Sequence, residues 1–99
     1  MQEFVGKRVA ANYWRGRESV GGKLGFDKTG MTFDSHALNF QTGSQRIDYR
    51  DIVALEPHRT LGIVNNGLTV RTADGAEHRF VINRRRQVID FLNAQKVIR

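Results

Sequence analysis

Between Val20 and Ile82 the chain alternates apolar and polar residues in short segments, each closed by a turn signal, and only after Asn83 does the period lengthen to that of a helix. A period of two places successive side chains on opposite faces of a strand, whereas a stripe at i, i+3 and i+4 marks one face of a helix. About seven half-buried strands followed by a single helix leave few packing solutions. The strands must curl back on themselves and the helix must cover an open end. A mainly β (α+β) fold is expected, a small bent antiparallel barrel or sandwich capped by one C-terminal α-helix.

Loop parity sets much of the register. From Val20 to Phe26 the even positions carry Val20, Gly22, Leu24 and Phe26, while Gly21, Lys23 and Gly25 take the other face. Asp27-Lys28-Thr29-Gly30 then reads as a four-residue turn, because only an even loop returns Met31 and Phe33 to the face of Leu24 and Phe26. Ile47 and Tyr49 mark a further strand with Arg46 and Asp48 outward. The unbroken run Ile52-Val53-Ala54-Leu55 predicts a strand covered on both sides. Asn66-Gly67 predicts a two-residue type I′ hairpin that follows Leu61 and Ile63 and pairs Ile63 with Val70. A three-residue turn at Ala73-Asp74-Gly75, with Gly75 left-handed, keeps Leu68, Val70 and Thr72 on the face of His78, Phe80 and Ile82. It also sets Arg71 opposite Glu77. Gly21-Gly22 predicts a bulge or a close backbone approach. One more strand is expected within Val9 to Trp14, where Arg8, Asn12 and the pair Ala10-Ala11 blur the alternation. Asn83 is the expected N-cap of the helix, whose buried stripe is Val88, Phe91, Leu92 and Gln95 with Ile89 at the margin.

Ninety-nine residues suit a single domain over 1–99, large enough to bury a core. An apolar content of 39% with six phenylalanines, two tyrosines and one tryptophan places the chain in the globular class. With no cysteine, disulfides, thiolate metal sites and thiol nucleophiles are excluded together. No apolar run approaches the ~20 residues of a bilayer span, and Met1-Gln2-Glu3-Phe4 lacks the apolar core of a signal peptide. Residence in the cytoplasm, in places peripheral to a membrane, is the expectation. A net charge of +6 favours acidic partners: anionic lipid headgroups, an acidic protein surface or nucleic acid.

Two constellations carry that charge. Arg84-Arg85-Arg86 puts three cations in the first helical turn, against the positive end of the helix dipole. Such an arrangement suits a phosphate or carboxylate held between guanidinium groups and free backbone N–H groups. The plainer alternative is that Asp90 or a neighbouring strand offsets them while they remain hydrated. Trp14-Arg15-Gly16-Arg17, preceded by Tyr13, combines aromatic rings with two arginines in an expected loop, a pattern that enters a bilayer interface or stacks on a base. Here the plainer alternative spends one ring on closing the barrel and the other on covering an edge.

The three histidines do not form a metal site: His36, His58 and His78 lack partners at the spacing of zinc ligands. His36 is read as ending a strand, His58 as lying in a turn after Pro57, and His78 as facing inward beside Phe80. No paired carboxylates, no nucleophile with a local base and no glycine-rich phosphate loop occur in the sequence, so no enzyme activity and no cofactor are expected.

Val20-Gly21-Gly22-Lys23-Leu24, then Gly30-Met31-Thr32-Phe33 and Ser35-His36-Ala37-Leu38-Asn39, resemble the opening of a GRAM domain, a variant of the pleckstrin-homology (PH) fold. Asp51-Ile52, Leu61-Gly62-Ile63, Asn66-Gly67-Leu68, Asp74-Gly75 and Arg79-Phe80-Val81 continue the resemblance to the start of the helix. Gly25 stands where the family usually has a larger residue, and Asp27 where threonine is common. The resemblance implies a PH-like bent barrel and a non-catalytic module associated with membranes, phosphoinositides or protein partners. Arg15, Arg17 and Lys23 lie near the first strand loop, where a pleckstrin-type headgroup site places its cations, although their spacing differs.

The expectation is a module binding anionic headgroups through Arg15, Arg17, Lys23, Arg84, Arg85 and Arg86, with Tyr13 and Trp14 at the membrane interface. A protein-interaction or homo-oligomerisation module using a strand edge or the groove beside the helix is the alternative. Nucleic-acid binding comes third, because the strands lack the paired aromatics of the common RNA-binding sheet.

Overall fold

The structure, a computed structural model, describes residues 4–15, 17–35, 44–60 and 64–98, leaving the side chains at 15, 60, 64, 65 and 96–98 undescribed. Seven antiparallel strands, β1 (Arg8–Arg15), β2 (Glu18–Phe26), β3 (Gly30–Ser35), β4 (Ser44–Asp48), β5 (Ile52–Thr60), β6 (Val64–Thr72) and β7 (Glu77–Ile82), precede one helix, α1 (Arg85–Ile98). A short 3-10 helix at Tyr49–Asp51 joins β4 to β5. The strands form one curled sheet in the order β4-β3-β2-β1-β7-β6-β5, a half-barrel with β4 and β5 as its edges. With the C-terminal helix against it, the fold matches the PH-like description.

Strand β1, the element whose alternation was most blurred, lies at the centre of the sheet between β2 and β7. Val9, Ala11 and Tyr13 point inward while Ala10 and Asn12 face out. The β2–β3 turn has the predicted parity, with Leu24 opposite Phe33 and Phe26 opposite Met31. Asp27 closes it: its Oδ1 accepts from the backbone N–H groups of Thr29 and Gly30, each at 2.9 Å. At the β6–β7 turn Gly75 has φ of +91°, and Arg71 faces Glu77. Gly22 is a close approach, since a Cβ there would overlap the Asp34 carbonyl oxygen.

The core gathers inward side chains from every strand and closes on α1. Phe91, fully buried, meets Phe4, Phe26 and Tyr49 at ring-centroid distances of 5.6, 5.5 and 5.6 Å. Val88 and Leu92 are equally buried, and burial of a side chain of this size contributes about 1.5–3 kcal/mol. Tyr49 reaches this cluster from the 3-10 helix instead of a strand, with its hydroxyl donating to the Asp27 carbonyl at 2.7 Å.

Four sequence expectations are corrected. Asn66 and Gly67 do not form a hairpin turn; both lie within β6, where Gly67 pairs with His58 and Val70 with Leu55. Gly67 is required by proximity, because any Cβ there would overlap Nδ1 and Cε1 of His58. Leu61, Gly62 and Ile63, which connect the two strands, lie outside the described residues. His58 accordingly sits in β5, not in a turn. The run at Ile52 to Leu55 is not covered on both sides: the register slips between Ile52 and Ala54, and the intervening Val53 is 57% exposed. An extra residue at a β-bulge turns its side chain off the inner face. Finally, the first intrahelical bond runs from Val88 N–H to the Arg84 carbonyl at 3.1 Å, so Arg84, not Asn83, occupies the N-cap position.

Candidate functional site: a basic face at the helix start

The arginine triplet splits in three directions. Arg84 adopts φ of +60°, a conformation costing a non-glycine residue about 1–2 kcal/mol. Its guanidinium lies over the Phe4 ring, 5.3 Å from the centroid. Arg85 turns inward and donates from Nη1 to the carbonyls of His58 at 2.9 Å and Gly67 at 3.0 Å. These carbonyls flank the β5–β6 irregularity between His58 and Thr60. Arg85 is thereby a strand clamp, and its charge is spent on backbone acceptors. Arg86 stays exposed. Neighbouring strands thus take up Arg85, which turns inward instead of remaining hydrated.

Backbone links bring other cations to Arg84. Asn83 N–H donates to the Ala10 carbonyl at 3.1 Å, and Ala10 pairs with Lys23 on the adjacent strand. Lys23 therefore lies one strand beyond the residue that anchors the helix start. Arg8, two residues before Ala10 and on the same outer face, pairs with Gly25. A Cβ at Gly25 would lie 3.3 Å from Arg8 Cγ, so the arginine stem crosses the bare glycine backbone. The segment from Phe4 to Lys7 folds onto the end of β2 through Gly6 N–H to Phe26 O at 2.8 Å and Phe26 N–H to Lys7 O at 3.0 Å. Lys7, Arg8, Lys23 and Arg84 thus surround one end of β1.

Four acidic residues away from this face are held by two other arginines. Arg46 holds Asp27 at 2.8 Å and Asp48 at 2.9 Å. The Arg46 contact, followed by the N–H groups of the turn, holds the Asp27 carboxyl well below the usual carboxylate range. Arg71 is bonded to Glu56 at 2.8 Å and to Glu77. Two guanidinium groups thereby take up four carboxylates. Asp34, across from Lys23 and bonded by Ser44 Oγ at 2.7 Å, offsets part of the face.

The remaining sequence candidates lie elsewhere. Arg15 ends β1 and pairs with Glu18, with Arg17 in the intervening turn; Gly16 and the Arg15 side chain lie outside the described residues. At ~3.3 Å per strand residue, the β1–β2 tip is ~17 Å from the Ala10 anchor, so the two arginine groups do not converge. Tyr13 is corrected from an interface residue to a core residue: it is 8% exposed and packs on Phe33 and Phe80 at 5.4 and 5.0 Å. Trp14, half-buried, lies in β1, the strand expected within Val9 to Trp14. His78 is inward as expected, with Nδ1 2.9 Å from the Tyr13 hydroxyl, and burial pushes its pKa down against the upward pull of Asp74. His36 lies outside the described residues. Lys7 and Arg8 escaped the sequence reading because they precede any clear alternation; the basic doublet beside a strand start was their only signal.

Among the described residues no helix is long and apolar enough to cross a membrane, and no group of three or more metal-ligating side chains converges. No protein-family model matches the chain, and no curated protein matches it. The chain is similar in structure to the C-terminal domain of an unknown protein from Leishmania infantum, solved by crystallography. The TM-score is 0.77 at 16% identity, covering 92% of this chain and 82% of that one. A likeness at this identity speaks to the fold alone.

Proposed function

We propose that the chain is a GRAM-type, non-catalytic binding module that docks on anionic membrane headgroups from the cytoplasmic side, without a cofactor. The observation that carries this reading is the gathering of Lys7, Arg8, Lys23 and Arg84 at one end of β1, while Arg46 and Arg71 absorb carboxylates away from it. Gly75 at its turn and the buried Phe33 and Phe80, all within the GRAM-like motifs, support this reading. Each cation held near an anionic leaflet contributes roughly 1 kcal/mol, so four or five together suffice for reversible docking.

The alternative in which a partner strand pairs with a sheet edge has less support. Edge strand β5 carries Pro57 and the Val53 bulge, and edge strand β4 is five residues long with Arg46 and Asp48 paired on it. Proline, bulges, charge and shortness are the devices that discourage edge pairing.

Cosedimentation with phosphatidylserine-containing and pure phosphatidylcholine vesicles tests the proposal. Binding to the anionic vesicles alone, weakening as ionic strength rises and the screening length falls to about 8 Å, is expected. Equal binding to both vesicle types, or to neither, defeats it; retention of an oligonucleotide in a gel shift without vesicle binding points to nucleic acid instead.

A further inference from the structure

Arg84 is the one non-glycine residue with positive φ among those described. It occupies the N-cap position, where extended backbone is the rule, and glycine would take its conformation without strain. The chain keeps an exposed arginine there instead. Strained backbone persists only where the surroundings over-determine it, and such places gather at functional sites.

Three attachments hold Arg84. On its N-terminal side Asn83 N–H is tied to the Ala10 carbonyl at 3.1 Å, and its own carbonyl accepts from Val88 N–H at 3.1 Å. The third is the next side chain: Nη1 of Arg85 bridges the carbonyls of His58 and Gly67, on two different strands, at 2.9 and 3.0 Å. The bridge is part-buried, and Nε2 of the same His58 is closed off from water without a partner. Charge-assisted bonds gain strength as water is excluded. The two backbone bonds can be exchanged for water by a small shift of the helix start, whereas a shift of Arg85 strips two carbonyls at once.

The strain has a product in space. The Arg84 guanidinium lies over Phe4, 5.3 Å from the ring centroid, and the Phe4 carbonyl accepts from Lys7 N–H at 2.9 Å. The guanidinium is thereby set on the turn that carries Lys7. A cation–π contact at an exposed position is worth less than the strain, so the ring contact alone does not account for the arginine. We propose that Arg85 is the positioning residue of the docking face: it touches no headgroup itself but holds Arg84 in the left-handed conformation that sets its guanidinium among Lys7, Arg8 and Lys23. This role rests on the membrane reading above, to which it adds that the face is assembled against the stability of the fold.

Cosedimentation of the unmodified chain, Arg84→Asn, Arg85→Met and the double variant with phosphatidylserine vesicles forms a double-mutant cycle, in which the charge that Arg85→Met itself removes cancels. Asparagine accepts the left-handed region, so Arg84→Asn is expected to lose about fivefold in affinity, as for one cation near the leaflet, with the Tm unchanged or higher. In the Arg85→Met background the same substitution is expected to cost less than twofold, an outcome that a purely structural Arg85 would not produce. NMR of the isotope-labelled chain is expected to show at Arg84 the strong intraresidue HN–Hα Overhauser effect of positive φ, weakened in Arg85→Met. Val88, Phe91 and Leu92 keep the helix on the core; if Arg85→Met does not fold, Arg85→Gln, too short to reach both carbonyls, takes its place in the cycle. A full fivefold loss on Arg84→Asn in the Arg85→Met background, an unchanged Overhauser effect, or a lower Tm of Arg84→Asn with affinity kept overturns the assignment. Failure of the unmodified chain to bind the vesicles defeats the docking reading and this role with it; binding without the coupling defeats the role of Arg85 alone.

Discussion

Gly67→Ala separates two opposed roles for one glycine. In a type I′ turn Gly67 would require positive φ, and Gly67→Asn would be milder than Gly67→Ala, because asparagine tolerates the left-handed region. Among the described glycines positive φ falls at Gly6 and Gly75, while Gly67 is a strand residue opposite His58. A Cβ at Gly67 would overlap Nδ1 and Cε1 of His58 and approach its carbonyl oxygen to 2.9 Å. Overpacking of this kind costs about 1–3 kcal/mol, and at ~4–8 °C per kcal/mol for a small domain the Tm of Gly67→Ala falls by roughly 5–20 °C. Gly67→Asn falls further, because its longer side chain has no more room. His58→Ala removes the ring but not the carbonyl, so the His58→Ala/Gly67→Ala double variant recovers most of the loss, a coupling of about 1 kcal/mol or more. Thermal and urea unfolding followed by circular dichroism measure the unmodified chain, the three single variants and the double variant. A milder Gly67→Asn, or no coupling to His58, refutes the close-approach argument.

Two further outcomes follow from the core. Phe91→Ala, which empties a fully buried position against Phe4, Phe26 and Tyr49, is expected to cost about 3–5 kcal/mol in urea unfolding; a loss under about 1 kcal/mol would contradict the helix-capped core. The depressed pKa of His78 means that the unfolded chain takes up this proton first as pH falls. Stability is therefore full above the unfolded value of about 6.5 and declines below it until the folded ring protonates. An NMR titration placing the His78 C2 proton at or above 6.5 would reverse that sign.

The sequence made most of the sheet legible where parity and side-chain character agreed. At Asp27 to Gly30 and at Ala73 to Gly75, loop length, turn chemistry and the inward aromatic residues all demanded one register, and the structure has it. Asn66-Gly67 misled because its turn propensity is local, whereas the glycine answers a contact with His58 from a different strand. Val53 misled because hydropathy cannot reveal a bulge that rotates one residue of an apolar run outward. In β1, alanines on both faces left the period without contrast. The site was half legible. Lys23 and Arg84 stood out by charge, but their approach depends on Asn83 bonding to Ala10, a pairing across more than seventy residues of chain. Nothing in a run of three arginines tells that the middle one turns inward to two strand carbonyls.

The measurement that bears most directly on the account is vesicle binding by two matched charge reversals, Arg8→Glu/Lys23→Glu at the helix-start face and Arg15→Glu/Arg17→Glu at the β1–β2 tip. Each replaces two cations by two anions, a change of roughly 4 kcal/mol at ~1 kcal/mol per charge near the leaflet. The account predicts that Arg8→Glu/Lys23→Glu loses about a thousandfold in affinity for phosphatidylserine vesicles, while Arg15→Glu/Arg17→Glu stays near the unmodified protein. Loss in the tip variant with binding retained by Arg8→Glu/Lys23→Glu would contradict it and move the docking surface to the opposite end of β1.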